Sequence, residues 1–194
     1  TGDGPRADLA LAHLARALRD PARQVPALPR GLKLHRRLRV LAASGARRRP
    51  RELLLPLDEH RALLSAFLPA TPPFLSDSYV RDPALCALLA ACETPRVLGP
   101  DALVASLDDP TLGLEARVAL ARYIAARALE TPALRSDLRL DDRPWLPDRT
   151  GTSRAPRALF WPDPRLEART PPPAPSELLH PQLAVTLPEA LGAW

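Results

Sequence analysis

Six of twelve consecutive positions of the chain recur 106 residues downstream, and this recurrence limits the possible folds more than any other feature. Gly45 matches Gly151, Arg48 matches Arg154, Pro50 matches Pro156, Arg51 matches Arg157, Leu53 matches Leu159 and Pro56 matches Pro162. Whatever residues 45–56 build, residues 151–162 are expected to build again. After a gap, Pro83 aligns with Pro181, Leu85 with Leu183 and Leu89 with Leu187. The implied period of roughly 100 residues exceeds the 20 to 50 typical of solenoids, so each copy is nearer a small domain than a solenoid repeat.

Hydrophobic spacing and proline positions supply the elements. Leu9, Leu11, Leu14 and Leu18 predict a helix over Asp8–Leu18, which Pro21 ends. Leu32–Ala42 alternates apolar and basic residues and predicts a strand. Ser44 and Gly45 turn it, and the apolar run Arg51–Leu57 is expected to return as the second strand of a hairpin. His60, Leu63, Leu64 and Phe67 predict a helix over Asp58–Phe67, broken by Pro69, Pro72 and Pro73. Asp82 and Pro83 read as N-cap and first residue of a helix reaching about Cys92. Pro100 and Asp101 open another, and Leu114–Leu129 is the longest.

From Arg143 the pattern returns to a hairpin, with Trp145 and Leu146, a turn at Asp148–Gly151, and Ala158–Trp161 as the returning strand. Four prolines within Arg169–Ser176 predict an extended loop. Leu183, Leu187 and Leu191 predict a last short helix. The expected fold is α+β, predominantly helical, with two short β-hairpins in tandem units of hairpin plus helices. Its expected divisions are an N-terminal helix and proline-rich linker (1–30), a first unit (31–107), and a long helix with a second, truncated unit (108–194).

With 194 residues, 46% hydrophobic and 25% charged, the chain can bury a core without disulfide staples. Cys86 and Cys92 therefore read as buried thiols of a reducing compartment. The chain starts at Thr1 and has no methionine, so it reads as a segment of a longer polypeptide. No apolar run approaches the roughly 20 residues that cross a bilayer, and no signal peptide opens the chain. The expectation is a soluble, cytoplasmic protein with no membrane partner.

Charge is uneven. Thr1–Arg61 carries 14 basic and 6 acidic residues, and the remainder is net negative. Arg30–Arg51 holds nine cationic residues and no acid, so Arg36, Arg37, Arg47, Arg48 and Arg49 are candidate anion or nucleic-acid contacts. Against this, the chain has 26 arginines and one lysine, an excess that GC-rich codons explain, and no aromatic residue interleaves the run to stack on bases. A solvated basic face is the favoured reading, with an acidic protein partner as a further alternative.

Motifs for chemistry are missing. There is no Walker A, G-x-S-x-G, H-E-x-x-H or paired C-x-x-C motif, and His13, His35, His60 and His180 are scattered. No catalytic residue, cofactor or metal is therefore expected. Asp148-Arg149-Thr150-Gly151-Thr152 is similar to the phospho-aspartate loop of cation-pumping ATPases, but arginine replaces the lysine and a hairpin turn is favoured. Arg169, Pro172 and Pro175 fit an R-x-x-P-x-x-P ligand of SH3 domains, for which a rigid connector is the simpler account. Among the tryptophans, Trp145 and Trp161 read mainly as core, whereas Trp161 and Trp194 are also candidate apolar partner contacts.

Trp145-Leu146-Pro147, the Gly151 turn, Pro156, Leu159 and Pro162 in Pro-x-x-Leu-x-x-Pro spacing, and the closing Leu191-Gly192 resemble the repeats of sacsin and sacsin-like proteins. The resemblance covers about residues 35–194. The first copy departs from it, with Val40, Leu41 and Ala42 at the Leu-Pro opening and Glu93 and Thr94 at the Leu-Gly ending. It implies a very large cytosolic chaperone or co-chaperone in which an Hsp90-type ATPase module precedes regions of this kind. That module needs an asparagine on a helix and glycine-rich motifs, and this chain has no asparagine and eight scattered glycines. The implied role is a non-catalytic scaffold holding protein clients or neighbouring domains. The alternative is a basic nucleic-acid- or anion-binding module centred on Arg30–Arg51.

Overall fold

The computed structural model describes residues 11–12, 38–56, 58–68, 73–162, 168 and 171–187. In chain order its elements are β1 (Val40–Leu41), β2 (Arg47–Arg48), a 3-10 turn (Pro50–Glu52), α1 (Asp58–Phe67), α2 (Asp77–Val80), α3 (Pro83–Ala91), α4 (Pro100–Leu107), α5 (Leu114–Glu130), α6 (Ala133–Asp137), β3 (Leu146–Pro147), β4 (Ser153–Arg154), 3-10 turns at Pro156–Ala158 and Pro175–Glu177, and α7 (Pro181–Thr186). The fold is α+β and predominantly helical, with two short antiparallel hairpins. No helix among the described residues is long and apolar enough to cross a membrane.

Each hairpin is closed by a glycine in the left-handed backbone conformation that other residues adopt only with strain: Gly45 at φ +82° and Gly151 at φ +85°. β1 pairs with β2 through Val40–Arg48 and Leu41–Arg47, and β3 pairs with β4 through Leu146–Arg154 and Pro147–Ser153. The returning strands are thus nearer the turn than the apolar runs Arg51–Leu57 and Ala158–Trp161 led us to expect. Pro50 and Pro156 are the reason. Proline has no N–H for the ladder, and in both copies it opens a 3-10 turn instead. The apolar residues that follow make single bridges, Leu54 to Phe74 and Phe160 to Leu178.

Contacts divide the chain into two units, Thr1–Leu57 with Ala70–Leu98, and Asp58–Pro69 with Gly99–Trp194. The division does not fall at the expected 107/108, because α1 and α4 pack on α5. Of the N-terminal segment 1–30, only Leu11 and Ala12 are described, and both are helical. Residues 32–37 of the expected first strand lie outside the described residues.

In the first unit, Asp82 caps α3 by accepting the Ala84 N–H at 2.9 Å, and Pro83 occupies the first turn. The apolar α3 supplies Ala84, Leu85, Leu88 and Leu89 to a core with Val40, Ala42, Leu53, Leu55, Leu75 and Tyr79. The Leu55 N–H then donates to the Pro95 carbonyl just beyond α3, at 2.9 Å.

In the second unit, α5 is the central element, with α1, α4, α6, α7 and β3 against it. Tyr123 is fully buried and meets His60 edge-on, ring centroids 5.3 Å apart, and Phe67 at 5.8 Å. Trp145 is 1% exposed, and its indole Nε1 donates to the Leu140 carbonyl at 2.9 Å.

Backbone hydrogen bonds of the first hairpin recur at matching positions of the second. Ala42 N–H donates to Ala46 O at 2.8 Å, and Asp148 N–H to Thr152 O at 2.9 Å. Ser76 N–H donates to Leu41 O and His180 N–H to Pro147 O, both at 3.0 Å. Leu75 N–H donates to Leu54 O at 2.9 Å, and Leu179 N–H to Phe160 O at 3.0 Å. The downstream match is therefore Ser76 with His180 and Tyr79 with Leu183, so α7 stands where α2 stands. Aligning Pro83 with Pro181 placed it one helix too late. The connector also departs from a plain extended loop, since Pro175–Glu177 is a 3-10 turn.

Candidate functional site

The second unit carries a cleft of about 400 Å³. Leu146 and Leu179, each 2% exposed, and the partly buried Leu159 give it an apolar base. Phe160 and Trp161 line it while remaining 51% and 39% exposed. Two ion pairs flank it, Arg135 to Asp141 at 2.7 Å and Arg157 to Asp142 at 2.8 Å. Large aromatic rings left in water beside buried leucines are the usual chemistry of a protein-binding anchor.

The matching positions of the first unit are closed. Leu53, Leu55 and Leu75, the counterparts of Leu159, Trp161 and Leu179, are 0%, 6% and 1% exposed within the core that α3 completes. Phe160 corresponds to Leu54, which is 5% exposed. Sequence reasoning named Trp161 and not Phe160. The available signal was the replacement of Leu54-Leu55 by Phe160-Trp161 at matched positions, which enlarges two side chains where a buried copy has leucine. Trp194, the other apolar candidate, lies outside the described residues. Trp145, by contrast, is core.

The acidic turn of the second hairpin is a closed structural device. Asp148 is fully buried and accepts from Thr150 Oγ1 at 2.6 Å, Thr150 N at 2.8 Å, Thr152 N at 3.0 Å and Arg154 Nε at 3.2 Å. Burial raises its carboxyl pKa, but the Thr150 hydroxyl, the Thr152 N–H, Arg154 and the Thr150 N–H outweigh that and hold it below the usual carboxylate value. A folded-state pKa below the unfolded one contributes stability above about pH 4 that is lost as pH falls through the folded value. Asp148→Asn should therefore cost about 1–3 kcal/mol at neutral pH, the range of charge-assisted hydrogen bonds. Its stability should also fall less steeply than the wild type's between about pH 5 and pH 2.5. Urea denaturation across that range measures both, and parallel slopes would refute the assignment.

Of the basic candidates, Arg47, Arg48 and Arg49 are among the described residues. Arg47 and Arg48 are adjacent on β2 and so face opposite sides of the hairpin. Arg47 donates to the Arg39 carbonyl at 3.3 Å, and Arg49 lies 3.9 Å from Glu52. Arg36 and Arg37 lie outside the described residues.

One cluster was not legible in the sequence. His60, 3% exposed, has its Nε2 3.5 Å from Glu130, which Arg127 also pairs, and Glu59 lies beside them. Their ligand atoms fall within 4.8 Å of one another, but the Arg127 guanidinium already neutralises Glu130, which suits an ion pair better than a cation site. Both thiols are free, and burial raises their pKa values, which disfavours the reactive thiolate.

No family model, curated protein or solved structure matches the chain.

Proposed function

We propose that this chain is a non-catalytic scaffold and client-holding segment of a large sacsin-like chaperone or co-chaperone. The observation that carries this reading is the cleft at Phe160 and Trp161, apolar and open in one unit while its counterpart in the other is filled. A segment that only spaces its neighbours has no need of two exposed rings over a leucine base. Binding through them is driven by apolar burial and tolerates salt. The basic-module alternative rests on the Arg30–Arg51 stretch, of which Arg47 and Arg48 are adjacent on β2, and its affinity would fall steeply with ionic strength.

The test is suppression of aggregation of a thermally unfolding reporter protein, followed by light scattering. The chain should suppress scattering equally at low and high salt, and Phe160→Ala with Trp161→Ala should remove most of that effect. Suppression lost at high salt, or untouched by the double substitution, would overturn the reading. Cytoplasmic localisation and the absence of an enzymatic role belong to the same proposal.

A further inference from the structure

The proline segment ahead of the second unit's bridge is more rigid, and more open to solvent, than a connector requires. In the first unit the connector serves the bridge directly, with the Leu54 N–H donating to the Pro73 carbonyl at 2.7 Å. In the second unit the matching bond runs from the Phe160 N–H to the Glu177 carbonyl at 2.6 Å. Glu177 thus does there what Pro73 does in the first unit, and Pro172, Pro173 and Pro175 stand upstream of the bond that joins connector to hairpin.

Rigidity is built in locally. Proline rings fix φ at Pro172, Pro173 and Pro175, and a following proline holds Pro172 and Ala174 extended. Ala174 sits at φ −63° and ψ 150°, polyproline II values. A reciprocal pair pins it there: its N–H donates to Glu177 Oε2 at 2.9 Å, and its carbonyl accepts the Glu177 N–H at 2.8 Å. Leu178 and Leu179, 3% and 2% exposed, then anchor the segment in the core. A polyproline II helix repeats every three residues, so Pro172 and Pro175 share one edge, Ala174 lies on a second and Pro173 on the third. Exposure follows the same order, since Pro172, Ala174 and Pro175 are exposed and Pro173 is half-buried. One edge is turned toward the protein and two are open.

We propose that Pro172–Pro175 is a docking ligand for a domain whose aromatic-lined groove reads polyproline II at P-x-x-P spacing, a groove of the SH3 type. Such grooves favour a helix ordered before binding, because less conformational entropy is lost on docking. In the sequence Arg169 stands three residues ahead of Pro172, which completes R-x-x-P-x-x-P and complements an acidic mouth of the groove. The proposal goes beyond client holding and does not rest on it, since the docking edge is formed by Pro172 and Pro175 and not by the Phe160 and Trp161 rings.

The probe is an isolated, isotope-labelled SH3 domain of the class that takes R-x-x-P-x-x-P ligands, titrated with the full chain and followed by its amide NMR shifts. Saturable shifts confined to the aromatic groove are expected. Pro172→Ala with Pro175→Ala should abolish them, whereas Pro173→Ala, on the half-buried edge, should leave the affinity nearly unchanged. Thermal unfolding followed by circular dichroism separates lost docking from lost folding in each variant. Equal loss with Pro173→Ala would mean that the stiffness of the segment, and not its Pro172–Pro175 edge, governs binding, and would overturn the proposal. Absence of groove shifts, or shifts in a WW domain alone under the same conditions, would overturn the SH3-type assignment. Phe160→Ala with Trp161→Ala should leave the titration intact, so failure of client holding and failure of docking are read separately.

Discussion

Trp145→Ala is expected to destabilise the protein by about 3–5 kcal/mol, the range for removing a buried large aromatic side chain. The residue is 1% exposed and enters β3, with its own N–H donating to the Arg154 carbonyl at 3.1 Å. Alanine would keep that bond but leave a void where the indole packs, and an interior at crystal-like density closes such a void only in part. It would also orphan the Leu140 carbonyl, which accepts the indole Nε1 at 2.9 Å on a residue with 0% exposure. Trp145→Phe separates the two contributions. It retains much of the ring volume while losing the donor, so it should cost about 1–3 kcal/mol, the penalty for an unpaired buried polar group. Urea denaturation followed by far-UV circular dichroism measures both variants. Equal costs for alanine and phenylalanine would show that packing of the indole is not what holds the site.

The contrast between Trp145 and Trp161 marks where sequence reading stops. Both are tryptophans in or beside a hairpin, and both read mainly as core. Only Trp145 precedes the ladder and turns inward. Trp161 follows Pro156 and the bridge at Phe160, so it falls on a surface that the first copy covers with α3. Nothing local distinguishes the two, because exposure is decided by a helix distant in sequence. The same physics explains what could be read. Gly45 and Gly151 force a turn through their own backbone conformation, and Asp82-Pro83 caps a helix with its own side chain. These are interactions within a few residues.

Errors arose where a local pattern had two meanings. The apolar runs at Leu53–Leu55 and Leu159–Trp161 satisfy the composition of a strand, but the preceding proline removes a donor and starts a 3-10 turn. α2 is four residues long, too short for helical periodicity to register, so the repeat was matched one helix too late. His60 and Glu130 meet only because α1 folds onto α5, and no spacing rule joins residues so far apart.

That packing of α1 on α5 carries the second large expected effect. Tyr123 is 0% exposed and is flanked by both aromatic residues that α1 buries, His60 edge-on and Phe67 tilted. α1 is ten residues long, below the length at which an isolated helix holds together in water, so its order depends on the face it buries. Tyr123→Ala removes the ring that both residues rest on, and about 3–5 kcal/mol is expected from the lost burial and the cavity. Tyr123→Leu keeps an apolar body in the same place and should recover about half of that loss, since volume rather than aromatic geometry makes up most of such an effect. Amide exchange adds a reading that global stability does not. With alanine at 123, the amides of Asp58–Phe67 should exchange faster than those of the α5 segment around Ala121, because α1 loses its anchor before α5 loses its own hydrogen bonds. Uniform acceleration across both helices would mean that α1 and α5 open as one body, and that the Tyr123 contact is not what fastens α1 to this unit.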